Sequence, residues 1–246
     1  MKVIILAAGQ GTRLQPLTNN KPKCMVELLG KPLIKHQIDL LVKQNIPDII
    51  VAAGYKNDAI TYPEIKKAIN SEFDSTNMVY TLFCCEEFMK NDDLLITYGD
   101  IVYNQTVLEK VCNSSNKGIS VVIDNSWEKY WSARMNDPLS DAETLKIRNG
   151  EIIELGNKPK NLSDIEGQYI GMIKISKDVL PDIINFYHAL DKTKLYDGKD
   201  FNNMYMTSFI QLIINELMPV HPILIDNGWM EIDEPTDLKY TEFLKN

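Results

Sequence analysis

The amino terminus of the chain carries a short apolar run that passes directly into glycines. Val3–Leu6 is uninterrupted in its apolar character, and Gly9 and Gly11 follow it closely. An unbroken apolar run predicts a strand covered on both faces, as in a parallel sheet, because a strand with one wet face would alternate. A glycine-rich turn after such a strand offers free backbone N–H groups to a phosphate. This start is typical of an α/β protein that binds a phosphorylated ligand.

Patterns typical of strands and of helices alternate through the rest of the first half. In chain order we predict a helix over Pro32–Asn45, a strand over Asp48–Ala53, a helix over Pro63–Phe73, strands over Met78–Phe83 and Leu94–Tyr98, a helix over Thr106–Val111 and a strand over Ile119–Ile123. Such alternation predicts βαβ units in a doubly wound sheet.

The second half is richer in predicted β-structure. Asn149-Gly150 divides Glu143–Glu154 into two strands, because this dipeptide supplies the positive φ values of a type I′ turn. The further predicted elements are a strand over Tyr169–Ile175, a helix over Met204–Leu217, a strand over Ile223–Ile225 and a last helix from Glu234. Since no linker-like segment separates the halves, we predict a single domain over residues 1–246 with one continuous sheet.

Composition argues against several classes of protein. The chain has 26 Lys and Arg against 34 Asp and Glu, a formal net charge of −8. Broad nucleic-acid binding needs a basic patch, so no nucleic-acid partner is expected. No signal-type leader and no apolar stretch of membrane-spanning length is evident, so we expect a cytoplasmic protein with no membrane partner. The four cysteines form no CxxC pair, which argues against zinc.

The glycine loop departs from two common phosphate-binding motifs. Leu14 stands where a dinucleotide fingerprint needs a third glycine, and Gly11 is not followed by the Lys-Ser/Thr of a Walker A loop. Arg13 lies in the turn instead, and Lys23 follows about ten residues later. Two cations beside a glycine-rich turn suit a polyphosphate. The alternative is a tight turn with a solvated Arg13.

The string Leu6-Ala7-Ala8-Gly9-x-Gly11-Thr12-Arg13-Leu14, followed by Pro22-Lys23, resembles the signature of the sugar-phosphate nucleotidyltransferase superfamily. The resemblance implies a Rossmann-like, doubly wound mixed sheet with a small β-rich part. Residues 1–124 would bind the nucleotide and residues 125–246 the acceptor. It also implies an enzyme that transfers the nucleoside monophosphate of an NTP to a small phosphorylated metabolite and releases pyrophosphate, with Arg13 and Lys23 at the reacting phosphates.

Two aspartates are the candidate ligands for Mg²⁺. Asp100 follows the predicted strand Leu94–Tyr98, and ligands bind outside the carboxyl ends of strands in open α/β sheets. Asp233 precedes the last helix, and Mg²⁺ typically takes one or two carboxylates together with substrate phosphates. The family resemblance supports both aspartates. Each could instead cap a helix N-terminus.

The segment Asp74–Met78 resembles its counterpart in cytidylyltransferases that act on small non-sugar phosphates, which implies CTP. Thr76 and Asn77 would contact the base, although their composition favours an ordinary turn. The candidate nucleotide-binding set is therefore Leu6, Ala7, Ala8, Gly9, Gly11, Thr12, Arg13, Thr76 and Asn77.

Segments of the second half resemble the cytidylyltransferases of capsule phosphoramidate assembly, among them Ala142–Lys146, Glu166–Gly171 and Asn203–Phe209. That resemblance implies L-glutamine phosphate as the acceptor and CDP-L-glutamine as the product. Such an acceptor needs cations, a carboxylate and amide partners, and the candidates are Arg134, Glu154, Lys158 and Gln168. Lys158 could equally be a solvated loop residue.

Several alternatives stay open. Trp127 and Trp131 could form a cage for choline, although aromatic stripes usually serve packing. Phosphocholine, aminoethylphosphonate and sugar-phosphate transferases are the rival enzymes of this kind. A catalytically inactive nucleotide sensor and a metal-dependent glycosyltransferase are rivals of other classes, and the chain could form a homo-oligomer.

Overall fold

The computed structural model describes residues 1–245. The strands are β1 (Lys2–Ala7), β2 (Glu27–Leu28), β3 (Lys31–Pro32), β4 (Ile49–Ala53), β5 (Ile65–Ile69), β6 (Leu94–Tyr98), β7 (Ile101–Tyr103), β8 (Ile119–Asp124), β9 (Leu145–Arg148), β10 (Glu151–Leu155), β11 (Gln168–Ile175), β12 (Val220–Ile225) and β13 (Trp229–Glu231). The α-helices are α1 (Leu33–Lys43), α2 (Met78–Phe83), α3 (Gln105–Asn113), α4 (Trp127–Arg134), α5 (Leu180–Ala189) and α6 (Met206–Glu216).

A mixed nine-stranded sheet forms the centre of the molecule, in the order β5-β4-β1-β6-β11-β8-β12-β10-β9. β5, β4, β1 and β6 run parallel to one another, whereas β11 is antiparallel to both of its neighbours. The predicted doubly wound mixed sheet is confirmed. β8, from the first half of the chain, lies between β11 and β12 of the second half, so the two halves share one sheet.

The unbroken apolar character of β1 reflects burial of the sheet on both faces. Val3 and Ile5 pack on the side of α1, whereas Ile4 and Leu6 pack on the side of α6. Both faces therefore need apolar side chains, as the sequence pattern predicts. The edge strand β5 is different, because Lys66 and Lys67 are exposed there.

Two of the predicted elements are wrong. The helix expected over Pro63–Phe73 is instead the short strand β5, which pairs in parallel with β4. The strand expected over Met78–Phe83 is α2, where the Asn77 side chain caps the first turn by accepting the N–H of Met78 at 2.8 Å. The apolar run of α2 is short, and such a run does not distinguish a buried strand from a buried helix. In β5 the hydrogen-bonded pairing with β4 outweighs the helical spacing of the local sequence.

The remaining predicted elements are present with small shifts of their ends. The hairpin of β9 and β10 turns through Asn149 and Gly150, with φ of 54° and 81°. The last predicted helix is a short 3₁₀-helix, Pro235–Lys239. Within residues 1–245 no helix has both the length and the apolar character that crossing a membrane requires.

Candidate active site

The glycine-rich loop is closed against the segment that carries Lys23. Gly11 has a φ of 69°, and a Cβ atom added to it would lie 2.9 Å from the Cβ of Lys23. The Lys23 N–H donates to the carbonyl of Gly9 at 3.3 Å, and the Thr18 hydroxyl donates to the carbonyl of Gly11 at 2.7 Å. Gly11 is therefore required both for its backbone conformation and for the close approach of Lys23.

Asp100 reaches the same place from the end of β6. Gly99 donates its N–H to the carbonyl of Leu6 at 2.8 Å, and a Cβ atom on Gly99 would lie 2.9 Å from that of Ala7. The absence of a side chain at Gly99 thus lets the chain that carries Asp100 lie directly against the end of β1.

Asp233 is brought beside Asp100 by a two-stranded ribbon of β7 and β13. Glu231 pairs with Ile101, and the Ile232 N–H donates to the carbonyl of Asp100 at 3.0 Å. This antiparallel pairing joins segments more than a hundred residues apart in sequence. It fixes the two carboxylates on neighbouring strands.

The Lys23 ammonium lies between the two aspartates. It contacts Asp100 Oδ2 at 2.6 Å and also Asp233 Oδ1, and its side chain is only 16% exposed. Burial alone would lower the pKa of Lys23, but the two carboxylates outweigh burial and raise that pKa. Lys23 therefore stays protonated. The Arg13 guanidinium also contacts Asp233 at 3.0 Å, so four predicted site residues lie together here.

The charge of Asp233 is stabilised by these cations. Burial would raise the pKa of its carboxyl group, but Lys23 first and then Arg13 outweigh burial and lower it. Arg13 itself is 60% exposed, so its guanidinium is accessible to a ligand from solvent.

A cavity of about 140 Å³ opens on one side of this cluster. Its lining includes the predicted residues Leu6, Ala7, Ala8, Gly9, Thr76 and Asn77, together with Lys23 and Asp100. Gly11, Thr12 and Arg13 do not line it, and Arg13 borders a neighbouring cavity of about 280 Å³. Met78, the last residue of the segment Asp74–Met78, lines the first cavity too, and so does Phe73, which the sequence did not point to.

Thr76 and Asn77 also hold their own segment in place. The Thr76 hydroxyl donates to the carbonyl of Glu72 at 2.7 Å, and the Asn77 side chain caps α2. The structure thus gives both residues the turn role that the sequence left open. Their contact with a base stays a prediction.

A third cavity, of about 330 Å³, is bordered by Asp233. Asn77 and Met78 border both this cavity and the first one, so the two spaces adjoin. Lys23 and Asp100 border the first cavity and contact Asp233, which borders the third, so the Lys23 cluster (Lys23, Asp100 and Asp233) lies between the two. The lining residues that sequence analysis missed include Tyr98, Asp141, Glu143, Tyr169, Tyr205 and Thr207. Trp131 borders the cavity as well, whereas Trp127 is buried in packing.

Gly171, a glycine inside a strand pattern, is a feature of the sequence that could have pointed to this cavity. Its φ is 83°, and the register of β11 shifts between Tyr169 and Ile173. A Cβ atom on Gly171 would lie 2.6 Å from the ring of Tyr98. Glycine inside a strand pattern indicates a bulge or a close approach, and here it makes room for Tyr98.

The four predicted acceptor-binding residues are dispersed. Gln168 lines the third cavity, but its amide is engaged with the backbone of Glu143: its Oε1 accepts that residue's N–H at 3.1 Å and its Nε2 donates to that residue's carbonyl at 2.6 Å. Glu154 and Lys158 are not among the lining residues, and the Lys158 ammonium donates to the carbonyls of Leu139 and Ser140. Acceptor binding by these residues stays a prediction.

Arg134 borders the 280 Å³ cavity, but its side chain is only 3% exposed and makes two ion pairs inside the protein. Its guanidinium contacts Glu231 at 2.5 Å and Asp237 at 3.0 Å. Burial raises the pKa of Glu231 to about 7, and the charge of Asp233 adds to this, against the opposing effect of Arg134. Arg134 therefore lies behind Asp233, and its contact with an acceptor also stays a prediction.

Known proteins match the whole chain. The family described as Nucleotidyl transferase matches residues 2–208. The chain is 46% identical over 249 residues to the CTP:phosphoglutamine cytidylyltransferase of Campylobacter jejuni, covering 97% of this chain and 98% of that protein. It is 41% identical over 254 residues to the choline-phosphate cytidylyltransferase of Streptococcus pneumoniae, covering 100% and 99%.

A solved structure shows the same fold. The CTP:phosphocholine cytidylyltransferase from Streptococcus pneumoniae superposes with a TM-score of 0.74 at 22% identity, covering 100% of this chain and 99% of that one. Because the family match spans most of the sequence, the chain belongs to the nucleotidyl transferase family of enzymes.

Proposed function

We propose that the chain transfers CMP from CTP to L-glutamine phosphate and releases CDP-L-glutamine and pyrophosphate. The relative from Campylobacter jejuni, named for CTP and phosphoglutamine, supports this choice because it matches over nearly its whole length. The observation that carries the proposal is the convergence of Lys23, Asp100 and Asp233 where two cavities meet.

In this proposal the 140 Å³ cavity receives the cytidine part of CTP. Ala7–Gly9 line this cavity. The triphosphate would then lie along the glycine loop, with Arg13 on one side and Lys23 at its α-phosphate. The 330 Å³ cavity receives the acceptor from the other side. The phosphate of the acceptor then meets the α-phosphate of CTP at the Lys23 cluster.

The reaction needs no general base. An acceptor phosphate carries about −1.5 to −2 charge near neutral pH, so its oxygen is already a nucleophile. That oxygen forms a bond to the α-phosphorus, the bond from this phosphorus to the oxygen shared with the β-phosphate breaks, and pyrophosphate leaves. Lys23 and Arg13 stabilise the negative charge of the phosphates, and binding of both substrates aligns them.

We further propose that Asp100 and Asp233 hold Mg²⁺ together with phosphate oxygens of CTP. Both carboxylates contact one ammonium group, which shows that they lie close enough to share a cation. In residues 1–245 no group of three or more His, Cys, Asp or Glu side chains is arranged to hold a metal, so the nucleotide would complete the ligand set. Bound there, Mg²⁺ would neutralise the charge of the triphosphate.

A phosphocholine cytidylyltransferase is the second candidate. Four aromatic side chains border the acceptor cavity, and such rings suit a quaternary ammonium group: Tyr98, Trp131, Tyr169 and Tyr205. The choline-phosphate relative is 41% identical. For either acceptor we propose a cytoplasmic enzyme without membrane partners. The net charge of −8 supports the further proposal that it has no nucleic-acid partner.

The test is an assay of pyrophosphate release with each of the four NTPs against several acceptors. L-glutamine phosphate, phosphocholine, 2-aminoethylphosphonate and glucose 1-phosphate would each be supplied, and the product would be identified by mass spectrometry. We expect CTP with L-glutamine phosphate to give the highest kcat/KM. A higher value for another acceptor would refute the proposed substrate, and a higher value for another NTP would refute CTP.

A further inference from the structure

The acceptor cavity has an acidic wall. Asp141, Glu143, Glu231 and Asp233 border it, and no lysine or arginine of residues 1–245 is among its lining residues. A cavity lined by carboxylates and aromatic rings favours a positively charged group. The end of the acceptor that is distant from its phosphate should therefore carry a cation.

Three of these carboxylates already have partners. Asp233 contacts Lys23 and Arg13, Glu231 contacts Arg134, and the exposed Asp141 accepts a hydrogen bond from the Trp131 indole at 3.2 Å. Glu143 makes no ion pair with any described residue. Within residues 1–245 its only side-chain hydrogen bond is one of 3.5 Å from the Thr207 hydroxyl.

Glu143 is also held in a defined position. The Gln168 amide binds both the N–H and the carbonyl of Glu143. Burial raises the pKa of the Glu143 carboxyl group to about 7, and the nearby charge of Asp141 adds to this effect. A largely buried carboxylate without a cation is costly, so a fold that positions one beside a cavity favours a ligand that brings the cation.

Tyr169 forms an aromatic part of the cavity wall beside Glu143. Its ring packs edge-to-face on that of Tyr98 at a centroid distance of 5.9 Å. Tyr169 therefore contributes its ring, together with that of Tyr98, to the wall of the cavity.

We infer that Glu143 binds a primary ammonium group of the acceptor. The inference rests on the proposed function, and it assigns the α-amine of the amino acid to a particular site. A primary ammonium offers three N–H donors, which the carboxylate oxygens of Glu143 can accept, whereas a quaternary ammonium offers none. Glu143 is thus a specificity-determining residue that selects amino-bearing phosphates over choline and sugar phosphates.

The experiment compares the wild type with Glu143→Gln, which removes the charge and keeps the shape. Each enzyme receives L-glutamine phosphate and its Nα-acetyl derivative, which lacks the ammonium. A charge-assisted hydrogen bond predicts that the wild type prefers the free amine by about 100-fold in kcat/KM, chiefly through the KM of the acceptor. In Glu143→Gln this preference should fall to a few-fold, with the KM of CTP unchanged.

Two further variants serve as controls. Glu143→Asp should recover part of the preference, because it restores the charge, and Glu151→Gln should keep all of it, because Glu151 lies in the same hairpin outside the cavity. If Glu143→Gln keeps the wild-type preference, or raises the KM of CTP as much as that of the acceptor, the assignment of Glu143 is refuted.

A second pair of acceptors separates this inference from the proposed substrate. Phosphoethanolamine and phosphocholine differ only in whether their nitrogen carries hydrogens. Suppose that the wild type does not use L-glutamine phosphate but prefers phosphoethanolamine to phosphocholine. Suppose also that Glu143→Gln loses this preference. The proposed substrate is then wrong, and the role of Glu143 stands. Preference of the wild type for phosphocholine, or for a neutral sugar phosphate, would refute the role of Glu143.

Discussion

The carboxylate of Asp237 accepts the backbone N–H of Asp233 at 2.8 Å. The same carboxylate also contacts the Arg134 guanidinium at 3.0 Å, and both of these side chains are almost completely buried. Asp237 therefore links the buried Arg134 to the backbone that carries a proposed metal ligand. This relationship gives Asp237 and Arg134 a positioning role.

Asp237→Ala is expected to destabilise the protein by about 3 kcal/mol or more, because it removes one partner of a buried ion pair. Urea denaturation would measure the loss in the free energy of unfolding. Asp226→Ala is the matched control, since Asp226 is exposed and should change stability by no more than about 0.5 kcal/mol. Equal losses in the two variants would show that the Arg134–Asp237 pair has no special role.

Lys23→Ala should lower kcat by about 100- to 1,000-fold and leave the KM of the acceptor nearly unchanged, because the ammonium stabilises charge at the reacting phosphates. Lys21→Ala is the control, since Lys21 makes only a 3.9 Å contact with the exposed Glu27. Steady-state kinetics with the purified variants would measure kcat and the KM of the acceptor. Near-normal turnover of Lys23→Ala would count against the assigned role.

Asp100→Asn should abolish the activity that Mg²⁺ supports, because an amide does not supply the carboxylate charge that this ion prefers. Activity would be measured across a range of Mg²⁺ concentrations, with Asp92→Asn as a surface control. An unchanged metal dependence in Asp100→Asn would exclude Asp100 as a ligand.

Gly11→Ala and Gly30→Ala form a matched pair. Both glycines have positive φ, 69° and 75°, so each substitution should cost about 1 to 2 kcal/mol of backbone strain. Only Gly11 has Lys23 within contact distance of an added Cβ, whereas Gly30 has open space. Thermal unfolding should therefore show a loss in both variants and a larger one in Gly11→Ala, and kinetic assays should show a loss of turnover in Gly11→Ala alone. Equal turnover in the two variants would contradict the close packing of Lys23 on the loop.

The pKa of Glu143 predicts an unusual dependence of stability on pH. Burial raises this pKa from 4.5 to about 7, so the folded state favours the protonated carboxyl group. The contribution of this carboxyl group to the free energy of unfolding is fully present below pH 4.5 and is lost as the pH rises through 7. Glu143→Gln should accordingly raise the free energy of unfolding by about 3 kcal/mol at pH 8 and by only about 1 kcal/mol at pH 5.

Urea denaturation at several pH values would measure this difference, with Glu151→Gln as the control that should show no such trend. If the gain from Glu143→Gln is the same at pH 5 and at pH 8, the carboxyl group of Glu143 does not carry a raised pKa in the folded protein.

Features that depend on neighbouring residues were the most predictable from the sequence. The apolar run of β1, the loop with Arg13 and the Asn149-Gly150 turn each follow from local chemistry, and the structure has all three. Asp100 was predictable because it directly follows the end of a buried strand.

Features that depend on distant pairing were not predictable. Glu154 and Glu143 are both acidic residues of one hairpin region, and the Gln168 amide holds the backbone of Glu143 beside the cavity by two hydrogen bonds. Arg134 was a reasonable candidate for phosphate binding, but Asp237 and Glu231 lie about a hundred residues away in sequence and engage its guanidinium. The pairing of β5 with β4 likewise outweighed a local helical spacing.

The insertion of β8 between β11 and β12 has a consequence for how such enzymes change their substrates. A chain cut near residue 124 would separate β8 from both of its neighbours, so the half that we propose binds the acceptor could not be exchanged as an intact unit. New acceptor preferences in this architecture are therefore expected to come from changes around a retained sheet rather than from replacement of that half.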